Sequence, residues 1–373
     1  LVQLVLKKKN QLFLKICLLS FEALVIQGSF TLYLSDKNSR NYTSINVHIE
    51  ISSQANSSHM SPSSSRQKIY GLIMAITSAA LWGLSGTCAQ FLFEQKGFDP
   101  ERLVCWRLLA AGVILVTFSS TKKNNDTLRI WKKKTDALNL LLFGILGMVA
   151  VQYTYFYSIS LSNAATATVL QYIGPLLVVA FYAIKYRRWP ILAEYASLAL
   201  ALIGTFLLVT HGSFDQLVIS EAALFWGLLS ALALAFYTIQ PVGLLRKFDP
   251  ATVTGWGMLV GGLVFAFFGK PLDVEGIWDL EAWIAFSYII LFGSVISFYF
   301  FLKSVTLIGP STASLLCSVE PLAAAGVAVV WLGVYFGPMD WLGTLFILTT
   351  IVLLALGTRK KKEGKESQIH LPG

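Results

Sequence analysis

The chain has 373 residues, of which 55% are hydrophobic and only 13% charged, and its mean hydropathy is +0.65. A water-soluble domain needs a more polar surface than that, so the composition excludes a soluble enzyme or binding module and implies a membrane protein. The net charge of +9 does not imply a nucleic-acid partner, because the basic residues are distributed by loop rather than gathered in one patch.

Residues 1–69 read as an N-terminal extension that is not part of the repeated body. Lys7-Lys8-Lys9 leads into an apolar stretch from Leu12 to Phe30 that is broken by Lys15 and Glu22. A Ser-, Asn- and Gln-rich segment follows as far as His59, and Met60 reads as the natural start of what comes next. From Tyr70 the sequence divides into ten apolar spans of about 20 residues, the length that crosses a bilayer. They cover 70–93, 101–120, 138–158, 164–185, 191–210, 219–240, 251–269, 282–302, 311–332 and 340–357. Such long continuous runs are expected to be helices, which satisfy their own backbone hydrogen bonds in lipid. A basic tail, 359–373, closes the chain.

Basic residues fall on alternate connections. Arg66 and Lys68, the 122–134 segment, 185–188, Arg246-Lys247, Lys303 and the tail carry most of them. The other connections hold Lys96 and Lys270, with Arg102 at a span end and Asp273, Glu275, Asp279 and Glu281 between two spans. By the positive-inside rule both ends of the ten-span body are cytoplasmic.

The body is internally duplicated. Phe98-Asp99-Pro100 recurs as Phe248-Asp249-Pro250, Leu142-Phe143-Gly144 as Leu291-Phe292-Gly293, Ala167-Thr168 as Ala313-Ser314, and Pro175 as Pro321. The halves are 70–212 and 219–358. Five spans in each half make the second copy enter the membrane from the opposite side, so the expected fold is an all-α integral membrane protein of two inverted five-helix repeats. Related inverted halves can exchange conformations around a central site, which is a mechanism of alternating access.

Two ionisable residues lie deep within spans, where charge is costly and marks a candidate site. Arg107 is about 10 Å below the outer end of the second span and Glu320 about 14 Å above the inner end of the ninth. Their repeat counterparts are Gly257 and Gly174. Arg107 could bind a substrate carboxylate, or the two could pair and separate as the halves move; Glu320 could exchange a coupling proton. The structural alternative is a permanent pair, or Glu320 capping backbone groups freed by Pro321. Trp82, Ser85 and Ala89 share one face of the first span, and Trp226, Ser230, Ala233 and Tyr237 one face of the sixth. With Gln152, Tyr153 and Gln171 they are candidate cavity residues, although Trp and Tyr also form interfacial belts. Pro175 and Pro321 should kink the fourth and ninth spans.

Cys88, Cys105 and Cys317 fall within spans at no metal-ligand spacing, and the four histidines lie outside the spans. Without His-Glu-x-x-His, an intramembrane aspartate pair or a phosphate-binding Gly-x-x-x-x-Gly-Lys-Ser/Thr loop, neither a membrane enzyme nor an ATP-driven pump is expected, and no metal or cofactor is implied.

Trp82-Gly83, Arg107-Leu108-Leu109-Ala110-Ala111, Pro175 and Glu320-Pro321-Leu322-Ala323, set in paired five-span units, resemble the EamA family of the drug/metabolite transporter superfamily. The resemblance covers residues 70–358. It implies a secondary carrier of a small organic metabolite, such as an amino acid, commonly an exporter in the bacterial plasma membrane. It also implies a cavity lined by the first four helices of each half. A phosphorylated-sugar or nucleotide-sugar antiporter is the alternative within transport, and a non-transporting sensor or receptor the alternative outside it.

Overall fold

The computed structural model describes residues 29–33, 44–48, 65–122, 126–187, 220–271, 273, 276–317, 319–333, 335 and 337–346, with isolated positions at 196, 199–200, 203–204, 207, 348–349 and 353. The chain forms two units, Leu1–Ser61 and Pro62–Gly373. In the first, β1 (Ser29–Tyr33) and β2 (Ser44–His48) pair antiparallel, with Phe30 opposite Val47 and Leu32 opposite Ile45. Most of the apolar stretch before Phe30 lies outside the described residues, as does the basic tail.

The second unit is helical. Seven helices among the described residues are long and apolar enough to cross a membrane: α1 (Arg66–Lys96), α2 (Pro100–Thr121), α3 (Lys134–Leu161), α4 (Ala164–Lys185), α5 (Glu221–Leu245), α6 (Pro250–Gly269) and α7 (Leu280–Ile308). They account for the first four spans and for the sixth to the eighth. Most of the fifth, 191–210, and much of the tenth, 340–357, lie outside the described residues. The ninth, expected as one kinked helix, is instead two short helices, α8 (Pro310–Leu316) and α9 (Val319–Val327), the latter running into a π turn at Ala328–Leu332.

The repeated motifs have local physical reasons. In each Phe-Asp-Pro copy the aspartate caps a helix: Asp99 accepts from the Glu101 N–H at 2.8 Å and Asp249 from the Ala251 N–H at 2.9 Å. The proline follows at the first helical position, where its missing N–H costs nothing. Each Leu-Phe-Gly copy lies at a π turn, Phe143–Val149 inside α3 and Leu291–Ile296 inside α7. Each mid-span proline follows an interruption. Ala164–Gln171 and Gly174–Lys185 are separated by the turn at Tyr172-Ile173, and α9 begins two residues before Pro321. Proline donates no N–H and its ring clashes with the carbonyl four residues back, Gln171 and Cys317, which lie at the interruptions, so the expected kinks become breaks.

Contacts between the halves are exchanged pairwise. Helix α2 crosses α6; α1 packs on α7 and α9 as α5 packs on α3 and α4; α2 meets the π turn of α7 as α6 meets that of α3. The 22 residues of α2 span about 33 Å at 1.5 Å per residue. Asp99 at its start and Lys122 at its end therefore mark opposite ends of the bundle. Lys122 Nζ lies 2.9 Å from Asp249 Oδ1, so the two Phe-Asp-Pro turns are also at opposite ends.

Each of these turns is tied to the start of the third helix of the other half. At one end Lys96 Nζ meets Asp279 Oδ2 at 2.5 Å and Glu281 Oε2 at 3.2 Å; at the other Lys247 Nζ meets Asp136 Oδ1 at 2.6 Å. Burial would raise the Asp279 carboxyl, but the Lys96 ammonium holds it below the usual carboxylate range.

Lipid offers apolar surface as good as that of a neighbouring helix, so close backbone approach has to supply the association. At the α2–α6 crossing a Cβ on Gly112 would lie 2.6 Å from the Leu259 nitrogen, and one on Gly255 2.8 Å from the Val116 nitrogen. Gly255→Leu should insert normally but lower thermal stability in detergent by about 1–3 kcal/mol, the cost of overpacking. Gly243→Ala, where an added Cβ meets nothing within 4 Å, should leave the melting temperature unchanged.

Candidate substrate cavity

A cavity lies between the halves. Its lining comes from Trp82 and Ser85 on α1, Arg107 on α2, Val151, Gln152, Tyr155 and Phe156 on α3, Gln171 on α4, Leu234 and Tyr237 on α5, Phe298 on α7 and Glu320 on α9. Gly83 allows α1 to reach the broken ninth span, since a Cβ there would lie 2.7 Å from the Glu320 carbonyl oxygen. Glu320 stands in the first turn of α9, and its N–H bonds the Cys317 carbonyl at 2.9 Å. The break therefore sets the carboxylate at a helix N-terminus, where the backbone dipole favours negative charge.

Arg107 and Glu320 are 3% and 4% exposed and share this cavity, yet among the described residues no ion pair joins them. Of the alternatives the sequence leaves open, a standing Arg107–Glu320 pair is therefore not the arrangement here, and Arg107 has other partners. Arg107 Nε donates to Ser294 Oγ at 3.0 Å and Nη2 to the Gly293 carbonyl at 3.2 Å, both in the π turn of α7. The guanidinium carbon lies 4.3 Å from the centroid of the Phe156 ring and 5.9 Å from that of Phe298. These contacts offset part of the cost of burying the cation. No described residue donates a hydrogen bond to the Glu320 carboxylate.

Four other lining groups are buried without a hydrogen-bond partner among the described residues: Trp82 Nε1, Ser85 Oγ, Gln152 Oε1 and Tyr237 Oη. Each such group costs about 1–3 kcal/mol if nothing meets it. Meeting in one cavity, these four are placed to bind a polar solute. Aromatic packing fixes them: the Trp82 ring lies 4.9 Å from Phe298 and 5.3 Å from Phe301, and Tyr237 lies 5.5 Å from Phe301. Tyr155 shares a 2.6 Å hydrogen bond with Thr168.

Of the sequence candidates, Trp82, Ser85, Arg107, Gln152, Gln171, Tyr237 and Glu320 line the cavity, whereas Tyr153 and Trp226 do not. Tyr153 donates to Glu101 Oε1 at 2.9 Å, and its ring lies 5.5 Å from Trp226, which in turn lies 4.8 Å from Tyr157. Gln152, Tyr155 and Phe156 share a face at i, i+3 and i+4, and Tyr153 points about 100° away. Trp226 is in the second turn of its helix while Trp82 is deep in α1, so matching motif positions sit at different depths. Sequence reasoning missed Phe156, which that same face would have indicated. It also missed Val151, Leu234 and Phe298, which carry no polar signal.

The profile of the EamA-like transporter family matches residues 69–210 and 221–356. The chain belongs to this family. It is 42% identical over 295 residues to an uncharacterized inner membrane transporter, YicL, of Salmonella typhimurium, an alignment covering 78% of this chain and 97% of that one. It is 24% identical over 300 residues to the threonine/homoserine exporter RhtA of Escherichia coli K12, covering 80% and 95%. A solved crystal structure with 17% sequence identity superposes with a TM-score of 0.59, covering 80% of this chain and 99% of the other, which shows a shared fold. The protein is therefore a multi-pass membrane transporter of the drug/metabolite transporter superfamily.

Arg107→Ala and Glu320→Ala are each expected to cut solute flux in proteoliposomes by at least about tenfold, equivalent to losing roughly 1.4 kcal/mol. Both variants should remain inserted and monodisperse. Tyr153→Phe, which loses only the Glu101 bond outside the cavity, should keep flux within about twofold.

Proposed function

We propose that this protein is a secondary carrier that exports a small zwitterionic metabolite, an amino acid or a close relative, by alternating access. The observation that carries the reading is the pair of opposite charges, Arg107 and Glu320, buried in one cavity between the halves and not neutralising each other. A solute with a carboxylate and an ammonium group complements both. Gln152, Gln171 and the aromatic walls would meet its remaining surface, and the unmet Trp82, Ser85 and Tyr237 groups offer further hydrogen bonds. The likeness to an exporter of threonine and homoserine supports both the substrate class and the outward direction.

The architecture that goes with this function is ten helices in two inverted five-helix repeats, 70–212 and 219–358, with both ends of the body in the cytoplasm and the bacterial plasma membrane as its site. The opposite placement of the two Phe-Asp-Pro turns and the pairwise exchange of contacts support it. Opening to one side requires the ion-paired turn at that end to separate while the other holds. Glu320 is the site at which the solute ammonium and a coupling proton would alternate, since a carboxylate without a donor must bind a cation or a proton to stay buried.

A phosphate-ester carrier would need several cations facing the solute, and Arg107 is the one cation among the lining residues. Proteoliposomes containing only this protein distinguish the readings. Loaded with labelled L-amino acids, they should release a subset in exchange for external protons. Sugar-phosphate exchange without amino-acid movement would replace the amino-acid reading with the phosphate-ester one; no movement of either class would overturn the assignment of the cavity to a zwitterion.

A further inference from the structure

The arginine in the cavity has five N–H donors in a rigid fork. Two of them are engaged by the protein, Nε with Ser294 Oγ at 3.0 Å and Nη2 with the Gly293 carbonyl at 3.2 Å, and both belong to the same side of the fork. The direction of the first bond is fixed. Ser294 Oγ donates its single proton to the Ile289 carbonyl at 2.8 Å, so towards Arg107 it can only accept. The π turn sets up this arrangement by shifting the backbone register: the Ser297 N–H bonds the Phe292 and Ser294 carbonyls, and the intervening Gly293 carbonyl receives Arg107. The guanidinium lies over Phe156, with Phe298 farther off, which limits its tilt and leaves its direction within the plane to the hydrogen bonds.

The duplicated joint in the other half isolates what this arrangement adds. There Gly257 stands in place of Arg107 and Gly144 in place of Gly293. A Cβ on Gly144 would lie 2.9 Å from the Gly257 carbonyl oxygen, and one on Gly257 2.7 Å from the Phe143 ring. That joint is closed by backbone and ring packing without a charge, so holding the helices together does not require the Arg107–Ser294 contact.

We propose that Ser294 is a positioning residue that, with the Gly293 carbonyl, holds the Nε–Nη2 edge of Arg107 so that its Nη1–Nη2 edge receives the substrate carboxylate end-on. The π turn of α7 thereby determines selectivity for solutes with a free carboxylate. An end-on edge offers two parallel N–H donors matched to the two carboxylate oxygens, a fit that an amide or ester cannot reproduce. Loss of the serine hydroxyl frees Nε, and the fork can then turn between its two edges. This inference rests on reading Arg107 as the carboxylate site.

The test measures flux in proteoliposomes of the full chain for a panel of L-amino acids, and for L-threonine beside L-threonine amide, with wild type, Ser294→Ala, Ser294→Thr and Arg107→Ala. For Ser294→Ala the half-saturating concentration of the transported acids should rise about tenfold with the maximal rate within about twofold, and the preference for acid over amide should fall correspondingly. Ser294→Thr keeps the hydroxyl and should restore the preference. Equal losses for acid and amide, or no change in Ser294→Ala when Arg107→Ala is inactive, would overturn the positioning role. A wild type that moves no amino acid in the panel, or does not distinguish acid from amide, would instead overturn the assignment of Arg107 to the carboxylate.

Discussion

A guanidinium buried between apolar helices has to be met on its edge and on its face, and much of this protein's interior is arranged around meeting Arg107. Its Nε–Nη2 edge is taken by the π turn of α7 and its face by Phe156. Those contacts come from helices of both halves, so the cation itself joins them. The other intramembrane charge is handled differently. Glu320 has no donor from a described side chain and stands at the start of a half-helix created by the break before Pro321. A carboxyl group at a helix N-terminus without a side-chain partner remains available to a cation or a proton.

Around these charges the scaffold is nearly symmetric while its chemistry is not. The α2–α6 crossing, the paired π turns, the paired breaks and the Phe-Asp-Pro caps occur in both halves. Arg107 and Glu320 occur once each, opposite glycine in the other copy. Symmetry is what alternating access as proposed above would use, and asymmetry puts one guanidinium and one carboxyl group in the shared cavity. The ion pairs of Lys96 with Asp279 and of Lys247 with Asp136 put comparable weight at the two ends of the bundle.

Sequence carried the scaffold because membrane helices are written in long apolar runs and because duplication exposes its own register. Asp99 and Asp249 are legible as caps from the Asp-Pro order alone, and Arg107 and Glu320 stand out because charge is costly there. The polar lining was legible where helical spacing put it on one face, as for Trp82 and Ser85. What stayed hidden depends on backbone register and depth. Nothing in Leu291-Phe292-Gly293 distinguishes a π turn from an α-helix, so the contact of Arg107 with Gly293 and Ser294 was not legible. Trp226 matches Trp82 by motif but sits a few turns nearer a helix end, and Phe298 carries no polar signal that would single it out in a helix rich in phenylalanine.

The central claim is that this cavity is reached from each side of the membrane in turn. The direct measurement is thiol labelling of Ser85→Cys in a variant lacking Cys17, Cys88, Cys105 and Cys317, using a membrane-impermeant reagent on right-side-out and inverted vesicles. Labelling from both sides, slowed at either side by a transported solute, is the predicted result. Labelling from one side only, or from neither, would contradict alternating access at this cavity.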